Sequence, residues 1–160
     1  MGFLSDFFTY EKETGRLIWK AKRPGPGCVV GNEAGNVKSD GRYRTVKFFG
    51  KRLATHRIIW ELVYGEISEG LCIDHIDGNG LNNKIENLRA TTLSGNQKNR
   101  ALSKNNSTGI NGVYKRGDGY QVRCAANYIT FTKDFFLACC ARKSAENLYG
   151  YHENNGRRAA

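Results

Sequence analysis

The sequence predicts an α+β fold: a β-rich N-terminal lead-in, a strand–loop–strand–helix centre, and a C-terminal three-stranded sheet with one helix. Three observations carry that prediction. Short β-type runs bounded by glycine turns recur along the 160 residues, as antiparallel hairpins do. Thr55 to Tyr64 and the alanine-rich run ending near Leu148 place apolar residues at helical spacing. Hydrophobic residues make up 39% of the chain and aromatics 11%, enough for a core in one medium domain or two small ones.

Taken in order, residues 1–70 read as strands followed by a helix. Leu17-Ile18-Trp19 and Thr45-Val46-Lys47-Phe48-Phe49 are the β-type runs. Pro24-Gly25-Pro26-Gly27 is a loop, and Ser39-Asp40-Gly41-Arg42 is a turn with hairpin chemistry. In the helix, Ile59, Leu62 and Val63 share a face, with Thr55 as N-cap and Gly65 as stop. Leu71-Cys72-Ile73-Asp74-His75 is a buried-type strand that delivers polar groups at its end, and Asn87-Leu88-Arg89-Ala90-Thr91-Thr92 returns after a Gly/Asn-rich loop. Ser94-Gly95-Asn96-Gln97 has the form of a capping box, which puts Asn96 in the first turn of a short helix ending near Arg100.

Ser103 to Gly109 is polar enough for a linker. Strands then follow at Gly112–Arg116, Tyr120–Cys124 and Tyr128–Thr132, the first two joined by a Gly117-Asp118-Gly119 turn. Leu137, Cys140, Ala141, Ala145 and Leu148 form the apolar stripe of a final helix, and the chain frays from Asn154. The expected division is a domain over 1–102, a linker over 103–109, a second domain over 110–153 and a tail over 154–160.

Net charge is +10, and the excess of Lys and Arg is spread over all three segments. Such a chain is attracted to an extended polyanion in a salt-sensitive way. No apolar run reaches the length of a membrane span, and the N-terminus lacks the form of a secretory signal, so a cytoplasmic location is expected. Cys28, Cys72, Cys124, Cys139 and Cys140 are odd in number and lack zinc-type spacing. Reduced thiols and no structural zinc are expected, and a bound metal would be held by oxygen and nitrogen.

The chemistry concentrates in Asp74-His75-Ile76-Asp77-Gly78-Asn79, Asn87-Leu88-Arg89 and Asn96-Gln97-Lys98-Asn99. Phosphodiester hydrolysis needs a nucleophilic water, charge stabilisation on phosphate and help for the departing 3′ oxygen. A neutral histidine takes a proton near its own pKa of ~6.5. A divalent ion binds the phosphate oxygen, and magnesium favours a carboxylate with neutral oxygens and several waters. Neighbours on a strand point to opposite faces, so Asp74 and His75 have different tasks: one faces the metal, the other the attacking water. Asn96 can close the coordination from the following helix, and Asn87 can bond loop backbone and hold the histidine's orientation. An EF-hand starting at Asp77 fails, since Asn82 stands where a glycine is required and Leu88 where a glutamate is. His56 reads as a cap or core contact, His152 as a solvated residue, and Asn99 as a less favoured substitute for Asn96.

Residues 71–100 resemble the HNH nuclease motif, the ββα-metal fold, as found in phage-encoded homing endonucleases; its letters fall on His75, Asn87 and Asn96. The similarity extends upstream through Gly15-Arg16-Leu17-Ile18-Trp19, Asp40-Gly41-Arg42-Tyr43 and His56-Arg57. The resemblance implies His75 as general base, Asp74 and Asn96 as ligands of one Mg2+ or Mn2+ ion, Asn87 as loop stabiliser, and products with 5′-phosphate and 3′-hydroxyl ends. Residues 107–123 and the final helix are similar to an AP2-type DNA-binding domain, departing from it after Ala125. In that family the sheet enters the major groove, which implies Tyr114, Arg116, Tyr120, Gln121 and Arg123 near DNA, not all in contact because side chains alternate. Arg89, Lys98 and Arg100 are further candidates for phosphate contact.

The expected function is therefore a homing-type DNA endonuclease acting on double-stranded DNA, as a monomer or a dimer. The alternatives are a non-cleaving sequence-specific DNA-binding protein or a role directed at RNA.

Overall fold

The fold was taken from a computed structural model, which describes residues 2–22 and 27–157. It is α+β, with four α-helices and four small antiparallel sheets among the described residues, in two compact units, Met1–Leu93 and Ser94–Ala160.

The first unit opens with α1 (Gly2–Phe7), which sequence reasoning did not foresee, running into a hairpin of β1 (Phe8–Glu11) and β2 (Arg16–Trp19). A three-stranded sheet follows, β3 (Asn36–Val37), β4 (Arg44–Phe48) and β5 (Lys51–Ala54), and leads into α2 (Thr55–Tyr64). The expected loop at Pro24-Gly25-Pro26-Gly27 lies, apart from Gly27, outside the described residues. Thr55 is the first helical residue and Ala54 the N-cap, so the hydroxyl expected to cap α2 is used elsewhere. Gly65 stops the helix with φ +89° and its N–H on the Glu61 carbonyl, 3.1 Å. Leucine-like side chains would be strained there.

β6 (Leu71–His75) pairs with β7 (Leu88–Thr92), Asp74 opposite Arg89 and His75 opposite Leu88. One core joins these strands to the lead-in: Phe8, Leu17, Trp19, Val46, Phe48, Ile58, Ile59, Ile73, Ile85 and Leu88 are buried together. Alternation explains the choice, since β2 buries Leu17 and Trp19 and exposes Arg16. Full burial of one such apolar side chain contributes roughly 1.5–3 kcal/mol, so the motif strands draw much of their support from residues 8–59.

The boundary between the units falls at Leu93/Ser94, ahead of the position expected from sequence. α3 (Leu93–Gln97) begins at Leu93, so Ser94 lies inside the helix and caps nothing. The helix stops at Gln97, short of the expected Arg100. In the second unit, residues 99–102 are bonded to the chain's last turn: Gly156 N–H to the Arg100 carbonyl, 2.9 Å, and Leu102 N–H to the Arg157 carbonyl, 2.8 Å. The segment expected to fray is thus packed as far as Arg157, with Asn155 only 7% exposed. Within the expected linker, Asn106 Oδ1 accepts from the Thr108 and Gly109 amides and Thr108 Oγ1 donates to the Val113 carbonyl, 2.8 Å, making an ordered turn.

The remaining sheet has the order β10-β9-β8, built from β8 (Val113–Arg116), β9 (Gly119–Cys124) and β10 (Asn127–Thr132), and α4 (Phe135–Leu148) covers one face. Asp134 caps α4 by accepting from the Leu137 amide, 3.1 Å. The buried face of α4 is Ala138, Arg142, Ala145 and Glu146, while Leu137 and Leu148 are exposed. The expected apolar stripe is therefore rotated, because a buried ion pair supplies part of the contact face.

Candidate active site

β6 ends at Asp74 and His75, both buried, 9% and 4% exposed. The Asp74 carboxylate faces Arg89 across the ladder, Oδ2 accepting from Arg89 Nη2 at 2.9 Å and Nε at 3.2 Å. Arg89, a candidate for phosphate contact, is thus the counter-charge of Asp74. The His75 ring meets Asn83, Nε2 to Oδ1 at 2.9 Å, and Asn83 Nδ2 in turn reaches Thr55 Oγ1 at 3.3 Å. Thr55 donates its hydroxyl to the Arg44 carbonyl, 3.2 Å. The side chain bonded to the His75 ring is thus Asn83.

Asn87 is occupied by the loop between β6 and β7. Its Nδ2 donates to Asp77 Oδ1, 2.9 Å, and to the Asn82 carbonyl, 2.8 Å, while its Oδ1 accepts from the Asp77 amide, 3.0 Å. Burial alone would raise the Asp77 carboxyl. Donors from Asn82, the Asn79 amide and Asn87 outweigh it and hold the group below the usual carboxylate range. Asp77 is thereby a structural anion of the loop.

His56, read from sequence as a cap or core contact, packs edge-on against His75 with ring centroids 4.8 Å apart, and Tyr43 lies 5.9 Å from His75. Burial first, then the charges of His75 and Arg57, lower His56 to about 4, so it is neutral at pH 7. Its buried Nδ1 has no hydrogen-bond partner among the described residues.

The loop is held from the N-terminal hairpin. Tyr10 Oη accepts from the Ile85 amide, 2.9 Å. Gly15, at φ +74°, sits where a Cβ would come within 2.7 Å of the Lys84 nitrogen and 3.0 Å of the Asn83 carbonyl carbon. The sequence assigned no part in this network to Asn83 or Tyr10, and it offered Thr55 only as a helix cap. The one available signal was the Asn82-Asn83 pair just ahead of Ile85.

Asp74, His75, Asn87 and Arg89 thus lie together in the first unit. Asn96 lies on α3 in the second unit, half-buried. Asn99 is 3% exposed and accepts from Arg157 Nη1 through its Oδ1, 3.0 Å. Lys98 Nζ donates to the Tyr149 carbonyl, 2.6 Å, and stands 5.7 Å from the Tyr151 ring centroid. Arg100 is exposed. On the sheet of the second unit, Tyr114, Arg116 and Arg123 are exposed. They share the face away from α4 with Gln121, Tyr128 and Phe131, through the pairs Tyr114↔Gln121, Gln121↔Phe131 and Arg123↔Tyr128. Tyr120 is the correction: it packs into the core beneath α4, its ring 5.0 Å from Phe135, because it stands one residue out of phase with Gln121.

The HNH endonuclease family model matches residues 53–98, the segment that holds this strand pair, its loop and the helix ahead of it. Among known proteins, the chain is 39% identical over 70 residues to "Protein 3.8" of Escherichia phage T7, covering 44% of this chain and 58% of that one. It is 36% identical over 81 residues to "Uncharacterized HNH endonuclease L560" of Acanthamoeba polyphaga mimivirus, covering 49% of this chain and 41% of that one. The chain thus spans about half the length of these relatives. No solved structure matches it. No helix among the described residues is long and apolar enough to cross a membrane.

Proposed function

We propose that this protein is a metal-dependent DNA endonuclease of homing type, with His75 as general base, acting on double-stranded DNA and leaving 5′-phosphate and 3′-hydroxyl ends. The observation that carries the reading is the buried Asp74–His75 pair at the end of β6, its histidine ring fixed by Asn83, inside the segment that matches the HNH endonuclease family. His75 takes the proton of the attacking water. Asn87 holds the loop closed behind it, and Arg89 balances the Asp74 charge.

Asp74 supplies the carboxylate that would hold a hard divalent ion, its Oδ2 also bonded to Arg89, and magnesium, which keeps several waters, suits so sparse a donor set. Asn96 stands as the second ligand on the resemblance alone. Such an ion, when bound, neutralises charge on the phosphate and on the departing 3′ oxygen. The +10 net charge and the aromatic and basic sheet face of the second unit support DNA binding by an AP2-like module over residues 110–153.

Supercoiled plasmid and a linear duplex, incubated with the protein in Mg2+, in Mn2+ or in chelator, test this. Nicking or linearisation is expected with metal and none with chelator. His75→Ala should lower the rate about 10²–10⁴-fold, and Asp74→Ala should abolish it. Absence of cleavage with every divalent metal would sink the enzyme reading.

A further inference from the structure

We propose that Asn83, clamped by Thr55, is the positioning residue of His75, fixing the neutral imidazole as the tautomer with its proton on Nε2 and the lone pair on Nδ1. The assignment rests on the reading of His75 as the proton acceptor, and it follows from a directed chain of hydrogen bonds. The Arg44 carbonyl can only accept, so the Thr55 hydroxyl proton is committed to it at 3.2 Å. Thr55 Oγ1 is then an acceptor for Asn83, and the group that meets it at 3.3 Å must be the amide nitrogen. That leaves the amide oxygen of Asn83 facing His75 Nε2 at 2.9 Å. An amide oxygen has no proton to give, so Nε2 carries the N–H.

The opposite amide orientation would set Asn83 Oδ1 against a Thr55 oxygen whose proton is already engaged, two acceptors face to face. Burial makes that arrangement costly, since Thr55, Asn83 and His75 are 0%, 6% and 4% exposed and water cannot relieve the mismatch. His56 stands edge-on at 4.8 Å and Tyr43 lies tilted at 5.9 Å, so the imidazole is flanked by two rings. His56 is neutral at pH 7 and adds no charge to the pocket. The loop cannot withdraw Asn83 easily, because Tyr10 holds the Ile85 amide and Gly15 lies against the Asn83–Lys84 peptide. A base must keep one nitrogen unprotonated, and this chain of bonds supplies that condition without a carboxylate.

Long-range proton–nitrogen NMR correlations on the full chain with nitrogen-labelled histidine read the tautomer directly, independently of any nuclease activity. With the imidazole neutral, wild-type His75 should give a pyrrole-type Nε2 and a pyridine-type Nδ1. Asn83→Leu should merge the two toward averaged positions and lower the plasmid-nicking kcat about tenfold or more, with DNA affinity unchanged. Thr55→Val, a smaller perturbation of the fold, should shift both readouts in the same direction, and Thr55→Ser should restore them. A wild-type His75 protonated on Nδ1, or variants that keep the separated resonances and full kcat, would overturn the proposal. If the resonances behave as expected but the wild type cuts no DNA, the tautomer assignment holds and the endonuclease reading falls.

Discussion

At His56 burial and neighbouring charge act in the same direction, and the consequence is a dependence of stability on pH. Its folded-state pKa of about 4 lies below the ordinary 6.5, so between those values the unfolded chain binds a proton that the folded chain refuses. Stability contributed this way is intact above pH 6.5 and is lost as pH falls toward 4, by about 2 kcal/mol at pH 5. Urea denaturation at pH 7.5 and pH 5 should show that loss in the wild type and a smaller one in His56→Phe; equal losses would contradict it. The position of Asp74 and His75 at a strand end was legible in the sequence because the apolar run Leu71-Cys72-Ile73 leads directly into them. Asn83 was not, since an asparagine in a Gly/Asn-rich loop has no pattern that separates a turn-former from a buried hydrogen-bond partner. Only its distance to Nε2 makes that distinction.

Among the elements, α4 shows where periodicity misleads. Its stripe of Leu137, Cys140, Ala141, Ala145 and Leu148 is the most apolar face available, yet Leu148 is 82% exposed. The helix instead buries Arg142 and Glu146, bonded Nε to Oε1 at 2.9 Å. Glu146 also accepts from Asn155 Nδ2, 2.7 Å, and Arg142 Nη1 donates to the Arg123 carbonyl, 2.6 Å. Each charge is satisfied, so the pair ties helix, sheet and last turn together, a role no hydropathy pattern encodes. Glu146→Ala leaves the Arg142 charge buried and should cost about 3–5 kcal/mol, read as faster hydrogen exchange in β8–β10. The double change Arg142→Met with Glu146→Leu should cost less than the single one. A single-variant loss under about 1 kcal/mol would show that the pair is not structural. α3 misled in the opposite way: its capping-box letters are present, but the helix starts at Leu93 and the box has no terminus to cap.

For the whole molecule, charge and sheet geometry make separable predictions about DNA. Under the proposed DNA-binding role of this sheet, Arg116→Ala and Arg123→Ala should each reduce the slope of log affinity against log salt by about one, the effect of losing one phosphate contact. Tyr128→Ala and Phe131→Ala should weaken binding about tenfold with the slope unchanged, since stacking and apolar contact release no counterions. Tyr120→Phe should leave binding untouched, because that ring lies under α4. Fluorescence anisotropy across a salt series separates these outcomes, and an altered slope in Phe131→Ala would place the aromatic row off the DNA. The face itself was half legible: the resemblance named Tyr114, Arg116, Gln121 and Arg123 along with the out-of-phase Tyr120, whereas Tyr128 and Phe131 needed the bulged register between Tyr128 and Thr130.

The contact of Gly15 with the Asn83–Lys84 peptide bears on what can be moved from one protein to another. The matched family segment begins at residue 53, but the wall that keeps its loop in place is made at residues 10 and 15, on a hairpin outside it. A graft of residues 53–98 into a foreign scaffold would bring His75, Asn83 and Thr55, and leave their buttress behind. The transplantable unit is therefore longer than the recognisable one, and its upstream limit is the β1–β2 hairpin.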